Sequence, residues 1–289
     1  MDAKPTIKVI TGPTASGKSR AAIHLAHQDP LIEIVNADSQ LLYRDFDIGT
    51  AKPSRPEREL VPHHLIDILN PEERFSAAQY SKSAREMIRD IVRRGKTPLI
   101  VGGTGFYIDA LFKGLIEDSA SKEELQEATK RYRAELEIEG FGKMIERLKT
   151  IDPDLYEQVS REQNPLRLER AWTYYYANGI ALGEARRIQP EAFEFDPSYE
   201  VLNLSKAELW QRIEQRVRDM IDQGWTREVE RLLSNGVTTD MPAMKAIGYR
   251  EMAAVVLGVM KQSVAHEQIV IRTRQYAKRQ LTWIRRATK

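Results

Sequence analysis

Ile7-Lys8-Val9-Ile10-Thr11-Gly12-Pro13-Thr14-Ala15-Ser16-Gly17-Lys18-Ser19 is the stretch on which the reading of this chain turns. Ile7 to Ile10 is a short apolar run of the kind found in buried strands. Gly12 to Ser19 then fits the pattern G-x-x-x-x-G-K-[ST] in full. From Lys18 onward, Ala21, Ala22, Leu25 and Ala26 recur at helical spacing. A strand, a glycine loop and a helix in this order make an anion cradle. The glycines let backbone amides turn inward, and the helix N-terminus adds its positive dipole end. Lys18 supplies a point charge for outer phosphates, and the Ser19 hydroxyl is a candidate ligand for Mg²⁺. Gly12, Pro13, Thr14, Ala15, Ser16, Gly17, Lys18 and Ser19 are therefore expected to bind a di- or triphosphate, with Mg²⁺ as the expected cofactor.

Outward from the loop, Leu31 to Val35 reads as a second strand ending at Asn36-Ala37-Asp38. Residues 49–62, rich in proline and charge, read as a surface loop. Ser76 is expected to cap a helix running to Arg94, with Gly95 as its terminator. Pro98 to Val101 reads as a third strand, closed by Gly102-Gly103. Strands alternating with helices predict a parallel, doubly wound sheet covered on both faces. After Gly114 the pattern changes. Lys122 to Trp172 is helical, densely charged and without strand signals, and helical spacing continues through Tyr176. Breaks are expected at Gly179 and Gly183, and a boundary at Pro190 and Pro197. Val201 to Leu204 reads as one further strand returning to the sheet. The remainder is helical, broken near Gly224, Gly236 and Pro242. The expected fold is α/β: a P-loop NTPase-like parallel sheet core over 1–115, a helical insertion domain over 116–195, and a largely helical continuation of the core over 196–289.

The 289 residues are 42% apolar and 30% charged, enough for a sizeable core and incompatible with wholesale disorder. Lys and Arg number 44 against 42 Asp and Glu, a net charge of +2. The absence of cysteine removes disulfides, zinc–thiolate sites, iron–sulfur clusters and thiol nucleophiles. The longest strongly apolar run, Ala253 to Met260, is far too short to cross a bilayer, and the first residues carry no export signal. A soluble, cytoplasmic protein without a membrane partner is expected. The five histidines lack the helical pairing with Glu that a zinc site needs.

The strand ends beyond the loop narrow the chemistry. Phosphate-hydrolysing machines usually carry a second strand ending in a carboxylate that positions metal and water. Here the third strand runs into Gly102-Gly103-Thr104-Gly105, with no acid. The acid lies at the end of the second strand, as Asp38. In a parallel sheet the carboxyl ends of the strands share one rim with the phosphate loop, so Asp38 is expected to face the phosphates with Thr104 nearby. Three readings of Asp38 stay open at this point: metal ligand, general base or helix N-cap.

Several segments together resemble the tRNA dimethylallyltransferases, also called tRNA isopentenyltransferases. They are Gly12 to Ser19, Asp38-Ser39-Gln40-Leu41-Leu42-Tyr43-Arg44, Asp47-Ile48-Gly49-Thr50-Ala51-Lys52-Pro53, Pro62-His63-His64-Leu65-Ile66-Asp67, Phe75-Ser76-Ala77-Ala78, Pro98 to Tyr107, Lys245-Ala246-Ile247-Gly248-Tyr249-Arg250-Glu251 and Thr273 to Arg285. The resemblance implies transfer of a dimethylallyl group from dimethylallyl diphosphate to the exocyclic N6 amine of the adenosine at tRNA position 37, beside the anticodon. The phosphate loop would then hold the diphosphate of the allyl donor. Asp38 would take the proton of a weakly nucleophilic amine, Thr104 would order the reacting groups, and Arg212 and Arg216, four apart on one helical face, would clamp the diphosphate. A monomer is expected.

The same resemblance marks Asp38, Ser39, Gln40, Leu41 and Thr104 in the core as tRNA contacts. In the insertion it marks Gln126, Leu166, Arg167, Leu168, Glu169 and Arg170, which would close as a second jaw on an anticodon stem-loop. The family commonly has Arg at the position of Gln126, Gln at that of Leu166 and Thr at that of Ser19. From Arg272 to the C-terminus there are seven Lys or Arg and no acid. Arg272, Tyr276, Arg279, Trp283 and Arg286 share one helical face, so Arg279 and Arg286 are expected to neutralise RNA phosphates. Trp172 and Tyr174 to Tyr176 are read as core rather than as a stacking platform, and Trp210 and Trp225 as core. Alternative functions are an adenylate prenyltransferase, a P-loop small-molecule or nucleotide kinase, and a non-catalytic RNA-binding module.

Overall fold

The computed structural model of the chain describes residues 4–115, 120–188 and 193–288. The chain divides into two compact units, one formed by Met1–Phe112 with Phe193–Lys289 and the other by Lys113–Ala192. The expected boundary residue Pro190 lies outside the described residues.

In the first unit the strands are β1 (Thr6–Thr11), β2 (Ile32–Asn36), β3 (His63–His64), β4 (Thr97–Val101) and β5 (Asp196–Val201). They form one parallel sheet in the order β3-β2-β4-β1-β5. Helix α1 (Lys18–Gln28) packs Ala22 and Ala26 onto Ile10, Ile32, Ile34, Leu99 and Val101. Side chains alternate along a strand, and Val9, Val35 and Ile100, of opposite parity, are equally buried. Both faces are thus covered, which accounts for strand runs without polar alternation. Two further helices are α2 (Arg55–Leu60) and α3 (Ala77–Arg93). In α3, Tyr80, Ala84, Ile88 and Ile91 form the buried stripe at helical spacing, and Ser76 caps it through a reciprocal bond with Gln79. Helix α4 (Gly105–Lys113) follows β4.

The second unit is helical among its described residues: α5 (Lys122–Glu139), α6 (Phe141–Ile151), α7 (Pro153–Glu162), α8 (Pro165–Asn178) and α9 (Leu182–Arg187). Trp172 is fully buried among Met144, Ile145, Leu148, Leu155, Val159 and Leu168, and its indole N–H donates to the Met144 carbonyl at 3.2 Å. Tyr174 is also buried, while Tyr175 and Tyr176 pack against this core. Back in the first unit, β5 leads to α10 (Lys206–Asp222), α11 (Trp225–Ser234), a 3₁₀ turn (Pro242–Lys245), α12 (Tyr249–Val256) and α13 (Gln262–Ala287).

Four local expectations are corrected. Residues 49–62 hold α2, whose start is a capping box of Ser54 with Glu57, a signal hidden among prolines. The returning strand is Asp196–Val201 rather than 201–204: Pro197 sits in the sheet-edge strand, where a missing N–H is tolerated. Gly183 does not break a helix; it lies in α9, donating its N–H to buried Asp152 at 2.7 Å, and a Cβ there would meet Asp152 Oδ1 at 2.3 Å. Trp210 is only half-buried, its ring lying 5.9 Å from Arg274 and 6.0 Å from Lys278.

Candidate active site

The carboxyl ends of β1, β2 and β4 converge where the sheet order passes from β2 through β4 to β1, the usual position for ligands in open α/β sheets. At the end of β1 the loop Gly12–Ser19 turns back on itself. Gly17 adopts φ +93°, a backbone conformation that favours glycine, and opens α1. A Cβ on Gly12 would approach the Leu202 carbonyl to 2.8 Å. Lys18 donates to the carbonyls of Gly12 and Pro13, both at 2.9 Å. Burial pushes its ammonium down to about 8, opposed by the nearby Asp38 carboxylate and reinforced by Arg216.

Asp38 follows β2. Its backbone N–H donates to Asn36 Oδ1 at 2.9 Å, and its own Oδ1 accepts from the Gln40 N–H at 3.0 Å. No helix begins there, so the N-cap reading is corrected: the carboxylate closes an Asx turn instead. Thr104 lies across the rim. Its N–H donates to the Ala37 carbonyl at 3.1 Å, and its hydroxyl accepts from the Ser39 N–H at 3.0 Å. Tyr276 of α13 lines the same inner cavity as Thr104, and burial raises the ionisation of its hydroxyl well above the usual tyrosine range.

Two cavities meet at Asp38. One, of about 460 Å³, is the phosphate side: Thr14, Gly17, Lys18, Ser19, Arg212 and Arg216 are among its walls. The other, of about 370 Å³, runs from Asp38, Ser39 and Thr104 to an apolar end built by Ile213, Val217, Met220, Trp225, Ile247 and Ile269. Thr14, Asp38, Thr50 and Arg216 line both. Arg216 makes no ion pair among the described residues, and burial shifts its guanidinium downward against the pull of Asp38. Arg212 stands at the outer edge, exposed and paired with Glu208 at 2.8 Å. The expected clamp pair therefore shares one cavity but is unequal.

Loop 45–53 contributes Thr50 and Ala51 to the wall of the phosphate side. Buried Glu228 accepts from the backbone N–H groups of Asp47 (3.1 Å) and Ile48 (2.7 Å), and from the Tyr249 hydroxyl at 2.7 Å. Lys52 bonds Asp47, Asp67 and the Tyr43 carbonyl with its side chain almost wholly buried. Reading the sequence singled out neither Glu228 nor Gln280. Gln280 accepts from the Thr14 N–H at 2.8 Å and donates to the Gly103 carbonyl at 2.9 Å. Its one signal in the sequence is an uncharged amide, four residues beyond Tyr276, inside a run of cations.

The basic face of α13 separates residue by residue. Trp283 packs over Gly105 and donates to Asp109 Oδ2 at 2.7 Å. Arg272 is held by Glu251. Arg286 pairs with Asp109 at 3.2 Å yet stays largely exposed, and Arg279 is exposed on the wall of the inner cavity beside the Tyr276 ring. Gln40 and Leu41 line the two cavities at half-buried positions. In the second unit Gln126 and Leu166 are exposed, Arg167 pairs with Glu162 at 3.0 Å and Glu169 with Arg133 at 3.6 Å, and Arg170 is exposed. The Leu168 side chain is wholly buried in that unit's core, so any contact at this position would be made by its backbone.

No group of three or more His, Cys, Asp or Glu suited to a metal exists among the described residues. The chemistry of the cradle still fits Mg²⁺, which binds through few protein ligands together with phosphate oxygens. Ser19, exposed on the wall of the cavity that Asp38 also lines, is the residue that would hold it. Among the described residues, no helix is long and apolar enough to cross a membrane.

A strand–loop–helix cradle at the switch point of a parallel sheet, opening onto a second cavity across a carboxylate, defines an α/β phosphate-loop protein with room for an acceptor beside the phosphates. Residues 41–287 match the family model of the IPP transferases. The chain is 41% identical over 282 residues to tRNA dimethylallyltransferase 1 of Pelobacter propionicus, spanning 97% of this chain and 90% of that one. A solved tRNA isopentenylpyrophosphate transferase from Staphylococcus epidermidis is 37% identical with a TM-score of 0.68, covering 97% of this chain and 90% of its own. A eukaryotic dimethylallyltransferase, solved in snapshots of its action on tRNA, is 29% identical with a TM-score of 0.80 over 97% of this chain and 70% of its own. This chain belongs to the IPP transferase family. The family-model match begins after the phosphate loop and Asp38, while the full-length relatives span them. These likenesses do not favour the kinase or the adenylate-prenylating alternative.

Proposed function

We propose that this chain transfers a dimethylallyl group from dimethylallyl diphosphate to the exocyclic N6 amine of the adenosine at tRNA position 37, releasing diphosphate. The observation that carries this reading is the meeting of the phosphate cavity and the part-apolar inner cavity at one carboxylate, Asp38. The amide nest, Lys18 and Arg216 receive the departing diphosphate as the carbon–oxygen bond breaks and its electron pair leaves with oxygen. The adenine nitrogen forms the new carbon–nitrogen bond, and its proton passes to the Asp38 carboxylate. Thr104, fixed by Ser39, orders the acceptor side. Mg²⁺, when bound near Ser19, supplies charge neutralisation on the leaving group.

A loop adenosine is extruded at modest cost because it lies outside a duplex. In this reading the core contributes Asp38 to Leu41, Thr104, Arg279 and Arg286 to the tRNA, and the helical insertion, residues 116–195, contributes Gln126, Leu166, Arg167, Glu169 and Arg170. The enzyme works as a monomer in the cytoplasm. The test is incubation with Mg²⁺, labelled dimethylallyl diphosphate and unmodified tRNA, beside parallel reactions offering free adenylate or ATP with a small acceptor. Label in tRNA alone supports the reading; label confined to free adenylate, or phosphoryl transfer from ATP, replaces it.

A further inference from the structure

We propose that Gln280 is a positioning residue that sets the distance between the leaving-group cradle and the acceptor-side turn. Thr14 belongs to the cradle and lines both cavities. Gly103 precedes Thr104 in the turn after β4. These two segments are far apart in sequence, and the buried side chain of Gln280 joins them: Oε1 accepts from the Thr14 N–H at 2.8 Å, and Nε2 donates to the Gly103 carbonyl at 2.9 Å.

Only a neutral amide makes both bonds, because one end must accept and the other donate. A carboxylate would accept from Thr14 but would set a negative oxygen against the Gly103 carbonyl. The surroundings are built to this group. A Cβ on Gly103 would lie 2.2 Å from Nε2, and one on Gly105 2.3 Å from the Trp283 ring one turn further along α13. One turn earlier, Tyr276 lines the inner cavity together with Thr104. A single side chain of α13 therefore holds Thr14 and Gly103 in one register, and Thr104 is the residue that follows Gly103. Bond formation between an allyl carbon and an amine requires the reacting atoms at roughly 3–3.5 Å, and a misplacement of about 1 Å costs on the order of 10²-fold in rate. Gln280 lines neither cavity, so it acts through Thr14 and Thr104.

This inference rests on the proposed transfer reaction, and its test uses the full chain. Gln280→Met keeps the side-chain volume and removes both bonds; Gln280→Glu keeps the acceptor and removes the donor. Each is compared with the parent for single-turnover prenyl transfer at saturating donor and tRNA, for pyrophosphate affinity with Mg²⁺ present, for tRNA affinity and for thermal midpoint. The expected result is a single-turnover rate lowered ~10- to 100-fold in Gln280→Met, with both dissociation constants within about threefold of the parent. The double variant with Thr104→Ala should lose less than the product of the two single losses, since coupled residues are not additive. A rate within threefold of the parent, a loss expressed in affinities instead, or multiplicative losses would each overturn the proposal. If Gln280→Met does not fold, Gln280→Glu carries the same comparison. A parent enzyme that transfers nothing to tRNA defeats the proposed reaction instead, which keeps the two failures apart.

Discussion

The Thr104 hydroxyl accepts the backbone hydrogen of Ser39 across 3.0 Å, joining the turn after β4 to the turn after β2. With the Thr104 N–H on the Ala37 carbonyl at 3.1 Å, the two turns are pinned by two bonds on either side of Asp38. The carboxylate is consequently placed by the pairing of these two turns at the sheet rim.

Asp38→Ala should lower the single-turnover rate by at least ~10²-fold, the lower range for losing a positioned base. Binding of tRNA, measured by filter retention, should change little. Near-parental turnover would remove Asp38 from the role of base.

The unequal environments of the two arginines separate their effects. Arg216→Ala removes a half-buried cation shared by both cavities and should cost ~10²-fold in kcat/KM for the allyl diphosphate, the range seen for one transition-state donor. Arg212→Ala breaks an exposed pair with Glu208 and should cost roughly fivefold or less, because such pairs hold about 1 kcal/mol. Steady-state kinetics on both variants decide the order.

Replacing Arg279 and Arg286 together should weaken tRNA binding and reduce the slope of log affinity against log salt by about two, one for each phosphate no longer neutralised. The check is a salt titration of tRNA affinity. An unchanged slope would return that face of α13 to a purely structural role.

Gly102 lies where a Cβ would stand 2.2 Å from the backbone of Ala37. Backbone cannot step aside as a flexible side-chain end can, so Gly102→Ala should destabilise by about 1–3 kcal/mol. It should also reduce turnover by displacing the segment that carries Asp38. Thermal denaturation and kcat measured on the same sample test both parts.

Glu33 makes stability depend on pH. Hydrogen bonds from Arg94 outweigh the effect of burial and, with His64, hold its carboxyl down at about 2, against an ordinary value of 4.5. A carboxylate with a depressed folded value contributes stability above its unfolded value, and that contribution is lost as pH falls toward the folded one. The stability of the parent should therefore drop between pH 4.5 and about 2, and Glu33→Gln should flatten this part of the curve. Equal slopes for the two proteins would contradict the assignment.

Features carried by a local pattern were legible in the sequence, and very short or tertiary ones were not. The cradle, the three apolar strands and α3 announce themselves through local pattern, since loop chemistry, strand burial and capping are written within a few residues. Strand β3 is only two residues long, too short for any periodicity, and α2 is a single six-residue segment hidden by proline. Asp38 was identifiable as the rim carboxylate, but choosing among its roles needed the Asx turn to replace the cap. Gln280 and Glu228 were illegible because each acts on backbone amides remote in sequence: Thr14 for one, Asp47 and Ile48 for the other. Leu168 is a position carried over by family likeness, and its side chain lies in the core.

The most direct measurement is the stoichiometry of pyrophosphate release against prenyl incorporation into tRNA, without ATP, in the parent, Lys18→Ala and Asp38→Ala. The account predicts one pyrophosphate per prenyl group in the parent and parallel loss of both products in the two variants. Productive turnover of ATP with dimethylallyl diphosphate left intact would contradict it.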